Sequence, residues 1–370
     1  MRRWIASAFS ILLCSLCINA AWAHDDAKGS HPRHLVRVYK ATLLWDTTNQ
    51  IPFTGRALNN RGEVGGWVVT TGILNVGPYP HAALWRGGEV TRLAETDSTF
   101  ASNVVALNDR GVAVGRDEEW TVGWGASWQN GTLSMVGAME DEFNFGPTAI
   151  NNRGHVTVTE YLSRAFLLSE EAGYTNELVP LPGGHTPVPE DLNEEDHVAG
   201  WENVGWPITT AGHRALLWRD GTVEFLGTLP GMRDSQAQAL NDFDRVVGVS
   251  SDPNAGLERA FLWRHGQMRA LPFVRGAGGS SNAALDINDW EQIVGRESAI
   301  SGSAHAVLWE RGRALDLNSL VRDADHLRPN VTLLSAFRIN LWGQILATAR
   351  DDRIVDTELT YLLTPAFEWR

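Results

Sequence analysis

Cysteine is confined to the start of the chain, at Cys14 and Cys17, and none follows in the remaining sequence. Both lie in a segment that reads as a secretory signal: Arg2 and Arg3, an apolar run from Ile5 to Leu16, and Ala21-Trp22-Ala23 as a small-x-small cleavage site before His24. Leu13 and Leu16 precede the cysteines, where a lipoprotein signal needs a small residue. A mature chain beginning near His24 has no thiol. That excludes a disulfide, a cysteine nucleophile and a cysteine-ligated metal, and leaves stability to packing. Long hydrophobic runs are equally scarce. The early run is short for the ~20 residues of a bilayer core, and no later segment is apolar enough to span one. The expected organisation is a signal peptide over 1–23, a flexible segment over 24–35 and one domain over 36–370, in a secreted or periplasmic protein with no membrane span in the mature chain.

Positive charge is also in deficit, with 31 Lys and Arg against 44 Asp and Glu and a formal net charge of -13. Removing Arg2 and Arg3 leaves 29 basic residues and a balance of about -15. Such a chain repels phosphate backbones, so nucleic acid is not expected as a partner. Familiar catalytic signatures are missing: there is no nucleophile elbow, phosphate-cradling Gly loop, HExxH helix or EF-hand loop. No metal, cofactor or catalytic residue is assigned.

What the chain does have is a globular composition, 43% hydrophobic with 16 Trp, and a repeat. Seven segments carry a short apolar stretch ending in Asn: "ALNNRGEVGG", "ALNDRGVAVG", "AINNRGHVTV", "DLNEEDHVAG", "ALNDFDRVVG", "DINDWEQIVG" and "RINLWGQILA". Their asparagines, Asn59, Asn108, Asn151, Asn193, Asn241, Asn288 and Asn340, are 49, 43, 42, 48, 47 and 52 residues apart, a fixed period with varying loops. Asn with Gly three places on (Gly62, Gly111, Gly154, Gly343) predicts a tight hairpin in which the Asn side chain bonds its own backbone. Seven residues past the Asn stands Gly66, Gly115, Gly200, Gly248 or Gly295, with Val158 and Ala347 in two copies. A small residue there predicts close packing against a neighbouring sheet.

A second phrase follows in each unit: "HAALWRGG", "GASWQNG", "RAFLLSEEAG", "RALLWRDG", "RAFLWRHG" and "HAVLWERG", with a weaker "TYLLTP" last. Its Gly closes a second hairpin, giving four strands per unit. Seven such units predict an all-β fold, a seven-bladed β-propeller with four antiparallel strands per blade. The last unit lacks a fourth strand, while "VRVYKATLL" (Val36 to Leu44) precedes the first unit at the fourth-strand place. The N-terminal strand should therefore close the last blade, sparing the ring an open edge.

The alternation of "N-x-x-G-x-V-V-G" with "H-A-F-L-W-x-x-G" resembles the HAF-repeat family of bacterial extracellular proteins, from about Val36 to Pro365. Blade three departs at Leu168 and Val158, and blade seven lacks both Trp and Gly. The resemblance implies secretion and a repeat architecture but no shared biochemical activity.

Trp85, Trp128, Trp218, Trp263 and Trp309 recur with the repeat and are expected in the core between blades. His81, Arg164, Arg214, Arg259 and His305, which open the second phrase, are expected to be satisfied strand-end donors. Other aromatics do not recur. Trp67, Tyr79, Trp120, Trp124, Trp201 and Trp206 fall between the second and third strands of units one, two and four, where a loop is expected on the face opposite the tight hairpins. Glu118, Glu119, Glu142 and Glu202 accompany them. Aromatic faces beside carboxylates suit stacking on sugar rings or cradling a cation. The expected function is an exported, monomeric binding or interaction platform for carbohydrate or an extracellular protein of the cell envelope. The alternative is a carbohydrate-active hydrolase or lyase on the same face, with "EDEF" and "RDEEW" supplying paired carboxylates, or His185 and Tyr161 serving a lyase.

Overall fold

The computed structural model describes residues 35–369 except 71–77, 98, 119–122, 137–144, 161–163, 170–174, 178–185, 205–211, 300–301, 323–329 and 353–357. The chain divides into two units, Val38–Ala366 and a small one of Met1–Arg37 with Phe367–Arg370. The larger unit is a seven-bladed β-propeller. Blades two to six are four-stranded antiparallel sheets whose strands follow one another in chain order. Blade five is representative, with Asp234–Leu240, Val246–Asp252, Leu257–Arg264 and Gln267–Ala270. Blade one adds a two-residue ribbon, Trp45–Asp46, outside its first strand Ile51–Leu58. No helix among the described residues is long and apolar enough to cross a membrane.

Blade seven takes three strands from the end of the chain, Val331–Ile339, Ile345–Asp351 and Leu359–Trp369, and its fourth, Leu35–Leu43, from the beginning. The expected N-terminal closure is present, shifted by one residue at each end. It continues into blade one. Leu44 is fully buried, donates its N–H to the carbonyl of Thr360 in blade seven and accepts from Phe53 N in blade one. The apolar cluster around it mixes the two blades: Leu346 and Leu362 with Phe53, Val64 and Trp85.

The recurring Trp residues are core, as expected: Trp128, Trp218, Trp263 and Trp309 are at most 3% exposed. In blades two and six the indole N–H reaches back to the previous connection, Trp128 to Ala94 O and Trp309 to Pro272 O, each at 2.7 Å. Strand register places Leu168 and Leu363 at the Trp place of blades three and seven, where the smaller side chain fills the same site.

The small residue after the hairpin has a different cause from the one expected. Every first strand carries a bulge three residues before its Asn, at Val105 and Gln238 for example. In the blades with glycine a carbonyl of the first strand stands against the second strand, whereas blades three and seven, with the same bulge, seat Val158 and Ala347 at this place. A Cβ on Gly115 would lie 1.9 Å from Asn103 O, and one on Gly248 2.0 Å from Gln236 O. The close approach is therefore within the blade rather than to its neighbour.

Candidate functional site

The seven first strands stand side by side around a central channel of ≈ 290 Å³, and their last residues with the following Asn turns line its wall at the hairpin end. Each Asn Oδ1 accepts two N–H groups of its own turn, as expected; Asn241 takes Phe243 N at 3.0 Å and Arg245 N at 3.1 Å. The Asn amide then does something the local sequence did not announce. Asn59 Nδ2 donates to the carbonyl of Asn108, Asn108 to Asn151, Asn151 to Asn193, Asn193 to Asn241, Asn241 to Asn288, Asn288 to Asn340, and Asn340 back to Asn59, all at 3.0–3.2 Å. This is a closed collar of buried amides. The signal for it was the repeat of Asn itself, since a turn alone tolerates Asp or Ser.

The next residue of each turn forms a second circle nearer solvent. The side chains of Asp109, Asn152, Glu194, Asp242, Asp289 and Asn60 each accept the backbone N–H of the preceding blade's equivalent residue, at 2.7–3.0 Å. Leu341 has no oxygen, so blade seven leaves the circle open. Three neighbouring carboxylates, Glu194, Asp242 and Asp289, thus stand at one side of the channel mouth.

Deeper in the wall, the place two before the Asn is alanine in four blades (Ala57, Ala106, Ala149, Ala239) and charged in three: Asp191, Asp286 and Arg338. Asp191 accepts Leu240 N at 3.0 Å and Asp286 accepts Ile339 N at 2.6 Å, so each carboxyl spans to the next blade. Desolvation in the narrow wall pushes Asp286 up to about 7 and Asp191 up to about 6; Arg338 opposes the rise at both without cancelling it. Burial likewise raises Glu190, Glu194 and Asp289. Arg338 is the single basic residue among the described channel lining.

At the rim, the residue two past the Asn is solvent-exposed. It is Arg61, Arg110, Arg153 and Glu195 in blades one to four, and Phe243, Trp290 and Trp342 in blades five to seven. These three rings are 62%, 59% and 70% exposed, beside Leu341 at 39%. Trp290 is held in place by its indole N–H on Leu341 O at 3.0 Å, and the Arg245 guanidinium lies 5.5 Å from the Phe243 ring centre. The aromatic arc was visible in "NDFD", "NDWE" and "NLWG", but sequence reasoning took the turn as scaffold and looked past its third residue.

The aromatics singled out from sequence are placed differently. Trp67 and Trp201 are not in a loop: they sit within the second strands Val64–Thr70 and Val198–Val204, because pairing with the third strand continues past the Gly, Trp67 opposite Ala82 and Trp201 opposite Ala215. Both are half-buried. Arg56 lies 5.4 Å over the Trp67 ring, and Trp201 donates to Glu190 Oε1 at 2.9 Å and meets His213 edge-on at 4.9 Å. Tyr79 begins a third strand and stacks edge-on against Phe100 at 5.1 Å. Trp124 is likewise in a third strand, Gly123–Gln129. Glu118 ends the second strand of blade two, half-buried, and Glu202 is fully buried beside Arg214, whose Nε donates to it at 2.6 Å. Glu119, Trp120, Glu142 and Trp206 lie outside the described residues, as do Tyr161 and His185.

Four of the five residues opening the second phrase find local partners, Arg214 with Glu202 among them, while His305 Nε2 is buried 3.7 Å from Glu297 Oε1 without a hydrogen bond among the described residues. His81 Nδ1 is 2.9 Å from Glu95 Oε1, Arg259 donates to Leu271 O at 3.2 Å, and Arg164 lies 5.2 Å over Phe166.

No family model matches the chain, and no curated relative does. The solved structures similar to it include a catalytically inactive virginiamycin B lyase from Staphylococcus aureus with quinupristin (11% identity, 88% of this chain and 99% of that one, TM-score 0.52). The β-propeller domain of the Trilobed protease from Pyrococcus furiosus is another (9%, 84% and 95%, TM-score 0.55), and so is YCF48 from Cyanidioschyzon merolae (9%, 87% and 98%, TM-score 0.53). At these identities the likeness establishes the fold alone, and proteins this varied show that the propeller does not by itself fix an activity.

Proposed function

We propose that this protein is an exported bacterial β-propeller that acts as a binding platform for carbohydrate or another cell-envelope partner, and that it binds at the hairpin-side mouth of its central channel. Export rests on the signal-like residues 1–23. The observation that carries the site is the arc of Phe243, Trp290 and Trp342, three large rings left mostly in solvent at equivalent places of consecutive blades. Exposed apolar side chains scattered singly are ordinary, whereas a run of aromatics beside a polar concavity marks a contact surface. The collar beneath them closes on itself through seven amide hydrogen bonds, and Trp290 is tied to Leu341 O, so the arc is seated on a hydrogen-bonded ring.

The test is retention of the mature protein on a glycan array and on a peptide array, wild type against a Trp290→Ala/Trp342→Ala variant and a Trp67→Ala/Trp201→Ala variant. Ligands lost by the first variant and kept by the second support the hairpin-side mouth. Equal retention by wild type and the first variant contradicts it.

A further inference from the structure

We infer that the aromatic arc, with the carboxylates inside it, binds a basic segment of a protein chain, seating lysine or arginine side chains at the channel mouth. This rests on the binding-platform reading and narrows its ligand from carbohydrate or protein to one class.

The arc is asymmetric in charge as well as in shape. Where blades one to three carry Arg61, Arg110 and Arg153 two places past the Asn, blades five to seven carry rings there; the cation beside them, Arg245 at 5.5 Å from the Phe243 ring centre, is paired with Glu291 at 3.4 Å. Just inside those rings the mouth presents Glu194, Asp242 and Asp289. Each spends one oxygen on a neighbouring N–H, at 3.0 Å in all three cases, which holds the carboxylate at the mouth, and among the described residues no hydrogen bond engages its second oxygen. Deeper still, Asp191 and Asp286 face one Arg338. A neutral sugar would stack on Trp290 and Trp342 but would leave this excess of negative charge uncompensated. An ammonium or guanidinium does both: it lies against a ring face, worth about 0.5–1 kcal/mol at an exposed site and more when desolvated, and it pairs with the carboxylates. The aliphatic stems of Lys and Arg cover the apolar rim at Leu341. The outer acids of the same turns are not available for this. Asp244 is engaged by His197 Nδ1 at 2.7 Å and Glu291 by Arg264 at 3.2 Å, so the inner row is the one that meets a ligand.

The test uses fluorescence anisotropy with three labelled peptides of equal length: one alternating arginine and serine, one alternating glutamate and serine, one of glycine and serine. The proteins are the wild type, Asp242→Asn/Asp289→Asn, Trp290→Ala/Trp342→Ala and, as a control for bulk charge, Glu258→Gln on the opposite face. The inference expects saturable binding of the arginine peptide only, weakened about tenfold or more by either mouth variant and unchanged by Glu258→Gln, with circular dichroism confirming that all four are folded. Arginine-peptide affinity equal in wild type and both mouth variants overturns it, as does binding of none of the peptides. Arc-dependent retention of glycans without any arginine-peptide binding overturns this inference while leaving the platform reading in place.

Discussion

Trp218 and Trp290 carry the same side chain into opposite roles. Trp218 is 3% exposed between blades, and Trp290 is 59% exposed at the rim. Trp218→Ala removes packed surface that neighbouring sheets cannot close, at a cost of about 3–5 kcal/mol. Trp290→Ala loses one exposed hydrogen bond and costs about 1 kcal/mol or less. Calorimetry should therefore show a melting temperature lowered far more by Trp218→Ala; equal drops would contradict the assignment. Asp286 offers a second test at this scale. Its folded value of about 7 lies above the ordinary 3.8, so between those limits the folded chain holds a proton that the unfolded chain releases. Its contribution to stability is complete below about pH 4 and is lost as pH rises through 7. Asp286→Asn keeps an oxygen for Ile339 N–H and removes the titration. The stability of wild type relative to this variant should fall from pH 4 to pH 8, and a pH-independent difference would contradict the raised value.

At the scale of the element, the Asn turn shows what the sequence made legible and what it did not. The hairpin, its Asn bonded to its own backbone and its left-handed fourth residue could be read from "NNRG", because glycine at a positive φ has a local cause. Asp196, Asp244 and Glu291 hold the same place at φ of 65°, 55° and 56° without that freedom. Their compensation lies in the previous blade: His155 bonds Asp196 at 2.8 Å and His197 bonds Asp244 at 2.7 Å. Such partners are over forty residues away in sequence, so local chemistry gives no hint of them. The collar and the charged trio of the channel were hidden for the same reason, since both exist only once seven blades are set in a ring. The strand glycine was recognised as a close contact but credited to the wrong neighbour, because nothing in the residues Asn103 and Gln236 signals that their carbonyls crowd the second strand. Gly115→Ala places a methyl against a carbonyl of its own sheet. It should lower the melting temperature markedly, and a neutral effect would show that the bulge relaxes.

For the whole molecule, closure joins the ends of the chain twice, through the Leu35–Leu43 strand on blade seven and through Asn340 on Asn59. The strand buries Tyr39 and Ala41, and Leu44 directly follows it. A chain starting at Trp45 loses all three and exposes an edge of Leu359–Trp369. It should melt at lower temperature and be cut by protease near the C-terminus, whereas unchanged melting would mean that the ring does not depend on its clasp.

On the proposed reading, one face of this ring, the hairpin side, meets a partner. Site-specific photocrosslinking in intact cells tests this most directly, with benzoylphenylalanine placed at Phe243 or Trp342 on the arc and, separately, at Val69 or Leu257 on the opposite side. Adducts formed from Phe243 and Trp342 but not from the other two positions are the predicted result. Adducts formed only from Val69 or Leu257 would contradict it.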